Sequence, residues 1–298
     1  MSRDDLEHGA LYMVAAALLF AGVGVCVRIL SASLPNEMVV FFRSFFGLVA
    51  LLPLVWHRGA KSLKTRRLGG HLGRGLAGVA AMYCYFYAVA QMPLAEAVLL
   101  NYTTPLFVPF IAALWLRERV SPKLWVAIGA GFLGILFILR PGQDLFTPVA
   151  LIGLASGVLA ALAMTGVRRL THTEPVFRIV FYFSLVSTVI AAVPLPVRWQ
   201  TPDASLWLLL IMMGVIASLG QLLLTRAYAC APAAQVGPFS YATVVFAAVA
   251  GWVLWGEALD AFSFVGAALV CLGGVLTIRH AGAVAAPTAS LHFDAALI

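Results

Sequence analysis

A pentad of sequence NYTTP, Asn101 to Pro105, interrupts an apolar run of about one membrane thickness with four hydrogen-bonding side chains and a proline. An amide, a phenol and two hydroxyls can bind a polar ligand, and each needs a partner if it lies in hydrocarbon. In one interpretation, Thr103 and Thr104 bond back to their own helix and Asn101 bonds a neighbouring helix, so the pentad is a packing contact. In the other, Asn101 and Tyr102 line a water-filled binding cavity, and Pro105 is a hinge where the helix bends.

A second candidate ligand surface lies in the stretch GVAAMYCYFYAVAQ. Tyr83 and Tyr87 are four residues apart and share one face of a helix, whereas Tyr85 points to another face. Two phenol rings near the middle of a membrane helix suit a ligand with an apolar body and a polar head, although packing between helices would use the same residues. Gln221, an uncharged polar residue in a later apolar run, is a further candidate for ligand binding.

Arg43 is the deepest charge in the predicted membrane helices, about 10 Å along the second of them. One interpretation is structural: the side chain snorkels outward or pairs with Glu37 or Glu96. The other is functional: the guanidinium holds a substrate carboxylate. Both alternatives stay open from the sequence.

The titratable residues lack the arrangements that catalysis or metal binding needs. All 12 carboxylates fall in loops, tails or outermost helical turns, and the six histidines lie at helix ends and tails without metal-ligand spacing. The four cysteines lie in apolar runs without a CxxC pair, and there is no phosphate-binding loop. The sequence therefore predicts no enzyme, no metal and no cofactor. Downhill facilitated transport is the simplest interpretation, and a membrane scaffold is a remote alternative.

The composition shows which kind of element positions these side chains. With 62% apolar residues, 10% charged residues and a mean hydropathy of +0.99 over 298 residues, the chain is far more apolar than a soluble domain. We predict an all-α integral membrane protein, whose first helix lacks the features of a cleaved signal peptide. Its ten transmembrane helices are predicted near residues 9–30, 36–56, 70–91, 95–116, 122–139, 148–168, 175–198, 204–228, 234–255 and 261–279.

Basic residues determine the predicted orientation, because cytoplasmic loops are enriched in Lys and Arg. With the N-terminus inside, 15 of the 19 basic residues fall on the cytoplasmic side, Arg74 among them, whereas Arg28, Arg140 and Arg198 fall outside. Both termini are therefore predicted to be cytoplasmic. The same asymmetry accounts for the net charge of +7 without a nucleic-acid partner.

The sequence repeats itself at an offset of 139 residues. The offset pairs Pro93 with Pro232, Tyr102 with Tyr241, Glu118 with Glu257, Gly134 with Gly273 and Arg140 with Arg279. Each copy contains five predicted helices, an odd number, so the second copy enters the membrane from the opposite side, as in transporters that alternate around one fixed site. The predicted units are residues 1–141 and 142–280, followed by a cytoplasmic tail at 281–298.

The repeat also extends the candidate site. It lays NYTTP on SYATV, which adds Ser240 and Tyr241 to the substrate-binding candidates. The proline of the second copy, Pro238, lies six residues before the position that matches Pro105, and it is a second candidate hinge. Because each copy needs the other to complete the site, a monomer is sufficient.

Two stretches carry a resemblance to a known family: PLAEAVLLNYTTPLFVPFIAALWLRERVSPKLWVAIGAGFLGILFI and, in weaker form, PAAQVGPFSYATVVFAAVAGWVLWGEALDAFSFVGAALVCLGG. They resemble the EamA-type module of the drug/metabolite transporter superfamily, and FFRSFFGLVALLPL resembles the second helix of that module with its arginine. The resemblance covers nearly the whole chain as two tandem modules. Within that superfamily, the aromatic-rich third helix and the overall size resemble the bacterial aromatic amino acid exporters of the YddG type.

This resemblance implies a bacterial inner-membrane exporter of amino acids, aromatic and other neutral ones favoured, that acts by alternating access. Uptake or efflux of another small metabolite or drug, such as S-adenosylmethionine, is the alternative. The expected partners are the small-molecule substrate and the lipid bilayer.

Overall fold

A computed structural model describes residues 3–104, 106–107, 111, 122–139, 147–171, 173–230, 237–258 and 260–284. Within these ranges the chain is helical and contains no strand. The helices are α1 (Arg3–Leu30), α2 (Asn36–Arg58), α3 (Leu68–Gln91), α4 (Leu94–Asn101), α5 (Pro122–Leu139), α6 (Pro148–Thr171), α7 (Val176–Ala192), α8 (Ala204–Cys230), α9 (Ala242–Trp255) and α10 (Ala261–Val284). Three shorter helical pieces lie between them: Ala60–Leu63, Leu195–Arg198 and Gly237–Tyr241.

The lengths and apolar character of the helices agree with a membrane protein. Four segments are long and apolar enough to cross a bilayer: Glu7–Leu30, Asn36–Arg58, Pro148–Val167 and Ala204–Ala227. Shorter apolar helices are present at Ile128–Phe137, Val176–Ala192, Phe239–Trp255 and Ala261–Leu276. The all-helical class is confirmed, while the number of ten membrane crossings stays a prediction.

The outer surface of the bundle is apolar. Leu11, Leu208, Trp252 and Phe264 each expose about two thirds of their side-chain surface. Large apolar side chains exposed in such numbers suit contact with lipid and not with water.

The helices pack in a pattern that is symmetric when the first five are exchanged with the last five. α3 packs on α6 as α8 packs on α1, and α4 packs on α6 as α9 packs on α1. The pairs α2 with α7, α4 with α9 and α5 with α10 each map onto themselves. A two-fold axis between two related modules produces this pattern, and the self-mapping pairs lie along that axis.

Small residues allow helices to approach closely, as is common in membrane bundles. Between α2 and α8, a Cβ atom at Gly214 would lie only 2.9 Å from the backbone nitrogen of Gly47. Ser218, one turn further along α8, donates a hydrogen bond of 2.9 Å to the carbonyl oxygen of Gly47. The close contact therefore depends on both glycines and fixes α8 against α2.

Candidate functional site

The NYTTP pentad interrupts α4. The helix ends at Asn101, and the backbone hydrogen bonds that follow join residues three apart instead of four. The nitrogen of Thr103 donates to the oxygen of Leu100 at 3.3 Å, and that of Leu106 donates to the oxygen of Thr103 at 2.9 Å. The hydroxyl of Thr103 donates to the oxygen of Leu100 at 2.6 Å, and that of Thr104 to Asn101 at 2.7 Å. Back-bonding of the two threonines is therefore confirmed. Pro105, the first predicted hinge, lies outside the described residues.

Asn101 and Tyr102 reach two different helices. The side-chain amide of Asn101 donates to the hydroxyl of Ser156 on α6 at 3.0 Å. The hydroxyl of Tyr102 shares a hydrogen bond of 2.8 Å with the hydroxyl of Thr243 on α9. Both side chains are half-buried, and their partners belong to the second module. The pentad thus joins the two modules through side-chain hydrogen bonds.

The equivalent segment of the second module lies against the first. It forms the 3₁₀ helix Gly237–Tyr241, which contains Pro238, the second predicted hinge, and the half-buried Ser240. The rings of Tyr102 and Tyr241 have their centroids 6.2 Å apart with an interplanar angle of 54°. These two tyrosines occupy matching positions in the repeat, so the contact is what a two-fold axis at this point produces. Tyr241 is 6% exposed.

The aromatic residues of α3 divide between the interior and the surface. Tyr83 is half-buried, and its hydroxyl has no hydrogen-bond partner among the described residues. Tyr87 is 38% exposed. Tyr85, which the sequence placed on another face, points towards α1 and α4: a Cβ atom at Gly24 of α1 would lie 3.4 Å from its hydroxyl and 3.1 Å from Cδ1 of Leu94. Tyr85 therefore lies beside the first turn of α4, the helix that ends in the pentad.

The remaining predicted polar residues lie apart from the pentad. Gln221 is half-buried on α8, three residues from Ser218, whose hydroxyl bonds α2. No described contact joins its side chain to the tyrosine pair. Arg43 on α2 is 7% exposed, and its guanidinium carbon lies over the ring of Phe183 on α7, 5.4 Å from the ring centroid.

Arg43 forms neither of the ion pairs that the structural interpretation offered, and at 7% exposure its side chain does not snorkel to the surface. Glu37 lies 3.6 Å from the guanidinium of Arg198, and Glu96 accepts a hydrogen bond of 2.9 Å from Ser263. Among the residues that the structure describes, no carboxylate pairs with Arg43. Its charge is therefore buried beside an aromatic ring and is not neutralised by an acid.

Two carboxylates outside the predicted site tie the modules together at opposite ends of the bundle, and the first is Glu257. Its Oε1 accepts from Arg28 at 2.8 Å, and its Oε2 accepts from the backbone nitrogen of Leu94 at 2.8 Å. Arg28 also donates to the backbone oxygens of Val89, at 2.7 Å, and Met92. We call these residues the Glu257 network.

The second is Glu174, in the turn between α6 and α7. Its Oε1 accepts from the hydroxyl of Thr65 at 2.6 Å, and its Oε2 accepts from Arg178 at 2.5 Å. Arg178 also donates to the backbone oxygen of Ser62 at 2.8 Å. Burial alone raises the pKa of Glu174, but the hydrogen bonds from Thr65 and Arg178 outweigh burial and hold that pKa below its usual range. We call these residues the Glu174 network.

The chemistry available at the centre of the bundle is reversible binding. Amide, phenol and hydroxyl groups exchange hydrogen bonds with a ligand without forming covalent intermediates. Within the described part of the chain, no group of three or more His, Cys, Asp or Glu side chains could hold a metal ion. The two carboxylate networks were not predicted, because their partners are up to 229 residues apart in the sequence.

Two symmetry-related helical modules, an apolar outer surface and a polar centre where the modules meet are the features of a membrane transporter. The chain belongs to the EamA-like transporter family, which matches it twice, over residues 8–140 and 147–279. The family resemblance and the two tandem modules predicted from the sequence are thereby confirmed.

Relatives with described functions share nearly the whole chain. Pseudopaline exporter CntI of Pseudomonas aeruginosa is 35% identical over 94% of this chain and 99% of its own. A riboflavin transporter of Vibrio cholerae is 33% identical over 89% and 91%. An S-adenosylmethionine uptake transporter of Rickettsia felis is 28% identical over 83% and 84%. A solved crystal structure has a TM-score of 0.65 over 93% of this chain and 98% of its own, and at 20% identity it shows the fold alone.

Proposed function

We propose that the protein exports amino acids and similar small metabolites, aromatic and other neutral amino acids among them, by alternating access. The observation that carries this proposal is the contact between Tyr102 and Tyr241, matching residues of the two modules that meet on the axis. A ligand at this point touches both modules at once, so their relative movement can expose it to either side. The 35% identity to an exporter over nearly the full length supports outward transport.

The proposed binding surface is made of the polar residues around that axis. Asn101 and Ser240 flank the tyrosine pair and offer hydrogen bonds to a polar head group. Tyr83 supplies a buried hydroxyl without a partner in the described structure. Further proposed contacts of the substrate are Tyr87, Gln221 and Arg43, and the proposed hinges are Pro105 and Pro238.

The positions of the acidic residues support transport down a substrate gradient. Glu37, Glu96, Glu174 and Glu257 lie at helix ends or in turns, where the proton relay of an ion-coupled pump is not expected. We propose facilitative transport across a bacterial inner membrane by ten helices in two inverted sets of five, with both termini cytoplasmic. The excess of basic residues on one side of the predicted topology supports this orientation.

Counterflow in proteoliposomes tests the proposal. Vesicles loaded with unlabelled phenylalanine or leucine should accumulate the labelled amino acid without a pH or sodium gradient. Replacing Asn101 or Tyr102 with Leu should weaken substrate binding by about 0.5–1.5 kcal/mol, up to about tenfold, because one ligand hydrogen bond is lost.

Thr103→Val is the matched control, since the Thr103 side chain is fully buried and its hydroxyl donates to the backbone oxygen of Leu100, on its own helix. This variant should transport as the unmodified protein does. Wild-type rates in both Asn101→Leu and Tyr102→Leu would show that the pentad is a packing contact and that the substrate binds elsewhere.

A second candidate function is uptake or efflux of a larger metabolite. The identities of 33% to a riboflavin transporter and 28% to an S-adenosylmethionine uptake transporter favour it. The same vesicles, loaded with riboflavin or S-adenosylmethionine, separate the two candidates. Counterflow of either compound without counterflow of any amino acid would replace the first proposal by the second.

A further inference from the structure

Two buried arginines approach one aromatic ring between α2, α3 and α7. Arg43 and Arg74 are each 7% exposed. Their guanidinium carbons lie 5.4 Å and 3.5 Å from the ring centroid of Phe183. Both distances are measured to the same ring centroid, so the two guanidinium carbons are no farther apart than the sum of the two distances. At such a separation the two cations interact electrostatically.

Among the residues that the structure describes, no acid neutralises this pair. Within the described ranges, neither arginine forms an ion pair, and Nε and Nη1 of Arg74 are buried without a hydrogen-bond partner. The contact with Phe183 offsets only part of the free energy that is needed to bury a charge without a partner. Two like charges in these surroundings also repel each other. The pair therefore favours an anion between its members.

Buried hydroxyls lie beside the arginines. Ser44 follows Arg43 on α2, Ser187 lies one turn after Phe183 on α7, and the Oγ atoms of both serines are buried without a partner in the described structure. α2 and α7 pack together, and Leu51 of α2 clusters with Val180 of α7. Ser44 and Ser187 lie two turns from that contact in opposite chain directions. In antiparallel helices this puts the serines at one level, where their hydroxyls can donate to the same ligand.

Glycines of α3 and α6 let Arg74 approach Phe183. A Cβ atom at Gly78 would lie 2.7 Å from the ring of Phe183 and 3.1 Å from Nη1 of Arg74, and one at Gly166 would lie 3.2 Å from the Cβ atom of Arg74. A larger residue at either position would displace the guanidinium. The local sequence therefore holds the charge inside the bundle instead of letting it extend to the surface.

We propose that Arg43 and Arg74 bind two carboxylates of one transported molecule, and that the substrate is a small, amino-acid-like metabolite with at least two carboxylates. This inference rests on the proposed export function and, within it, favours small metabolites with two carboxylates over the neutral amino acids. A single carboxylate leaves one buried cation unpaired, and a neutral amino acid has only one carboxylate. Two carboxylates neutralise the pair and accept from the guanidinium forks and the serine hydroxyls.

The position of the pair suggests when it acts. Arg74 and Tyr85 are eleven residues apart on α3, so they share a face and lie about 16 Å apart along the helix. Arg74 is on the side of the Glu174 network, and Tyr85 lies beside the start of α4, the helix that leads to Tyr102. A substrate that enters from the Glu174 end meets the arginines before it reaches the axis.

The test uses the full chain in lipid nanodiscs with the dicarboxylates succinate, malate and glutamate as probes. Glutamine, phenylalanine and inorganic phosphate serve as comparisons. We expect the dicarboxylates to raise the apparent melting temperature and to compete at least tenfold better than glutamine in counterflow. Arg74→Met should make the protein without ligand more stable, because an uncompensated charge is removed, and should abolish the shift caused by dicarboxylates. Arg226→Met, which replaces an exposed arginine of α8, is the control and should change neither property.

The outcomes separate this inference from the export function. Counterflow of neutral amino acids without any response to dicarboxylates overturns the inference and leaves the export proposal intact. A lower melting temperature in Arg74→Met with an unchanged ligand response shows that the arginine is a packing residue and also overturns it. An equal response to phosphate and succinate overturns the assignment of carboxylates. Counterflow of no amino acid and no dicarboxylate removes the export proposal itself.

Discussion

Glu174 and Glu257 lie at opposite ends of the bundle, and each accepts two hydrogen bonds, but their donors and surroundings differ. Both donors of Glu257 belong to the other module, whereas Glu174 accepts from Thr65 of the other module and from Arg178 of its own. The Glu174 side chain is 4% exposed, and both of its donors, Thr65 and Arg178, are side chains. The Glu257 side chain is 17% exposed, and one of its donors is the backbone nitrogen of Leu94. An ion pair that is more deeply buried is costlier to break by removing one partner, because the other charge is left without water.

The comparison indicates that the two ends do not separate with equal ease. Arg28 keeps the backbone oxygens of Val89 and Met92 when Glu257 is lost, since these bonds cap the end of α3. Arg178 keeps only the backbone oxygen of Ser62 among its described partners when Glu174 is lost. We therefore expect the Glu174 end to be the more firmly closed and the Glu257 end to open more readily.

The largest expected effect is that of Glu174→Gln. The substitution removes a buried carboxylate and leaves Arg178 without its counter-charge, so the free energy of unfolding should fall by about 2–3 kcal/mol. The measurement is thermal unfolding of the purified protein in nanodiscs. A loss smaller than that of Glu257→Gln would reverse the ranking of the two ends.

Acidification should reproduce part of this effect. The pKa of Glu174 is lower in the folded protein than in the unfolded chain, so its contribution to stability is full above the unfolded value of about 4.3 and is lost as the pH falls through the folded value. The apparent melting temperature should therefore fall less steeply below about pH 4.3 in Glu174→Gln than in the unmodified protein. Parallel curves for the two proteins would contradict the lowered pKa.

A smaller effect is expected for Glu257→Gln. Its partner Arg28 is 23% exposed and retains its backbone acceptors, so the free energy of unfolding should fall by about 1 kcal/mol. Because the Glu257 end then separates more easily, cysteine labelling beside Leu94 should be faster than in the unmodified protein. Unchanged labelling would show that another contact holds this end.

The smallest effect is expected for Arg198→Gln. The side chain is 63% exposed and lies 3.6 Å from Glu37, so the loss should remain below about 0.5 kcal/mol. The same thermal measurement provides the baseline against which both networks are judged. A loss comparable with that of Glu257→Gln would mean that burial does not explain the difference between the ends.

Local sequence signals predicted several helix starts correctly, whereas the helices predicted at 95–116 and 175–198 end earlier, at Asn101 and Ala192. Pro148 begins α6 at the predicted residue, and Asn36, after Pro35, begins α2 as predicted. Proline at or just before a helix start fixes the backbone there, so its effect needs no distant partner. The 139-residue repeat likewise predicted that Tyr102 and Tyr241 are equivalent, and the structure brings their rings together.

The sequence did not reveal contacts that depend on a distant residue. Arg74 was counted with the basic residues of the cytoplasmic side because it lies six residues from the start of α3, yet the fold buries it against Phe183. A hydropathy profile depends only on the position of a charge along the chain. It does not include a distant residue, such as Phe183, that the fold places beside the charge. Gly78 was the available signal, since a glycine one turn from an arginine leaves room for the guanidinium. Tyr85 was not among the predicted site residues for the same reason, as its neighbour Gly24 belongs to another helix.

The bond between Tyr102 and Thr243 has a mirror partner that this structure does not form. The repeat offset makes Tyr241 and Thr104 the corresponding pair, and here Thr104 donates instead to the backbone oxygens of Asn101 and Gly157. If the two modules exchange shapes during transport, the Tyr102–Thr243 bond breaks and a Tyr241–Thr104 bond forms. Each of the two states then contains one tyrosine–threonine hydrogen bond.

Because one bond replaces the other, this contact contributes nearly the same free energy to the inward-open and the outward-open state. We expect Thr243→Val and Thr104→Val to shift the equilibrium between these two states in opposite directions, each by less than about tenfold. Cysteine accessibility from the two faces of the membrane measures the shift. Shifts in the same direction would mean that the two tyrosines do not exchange the hydrogen bond. If this contact stabilises both states equally, it favours neither direction of transport, and the direction of net flow follows the substrate concentrations on the two sides.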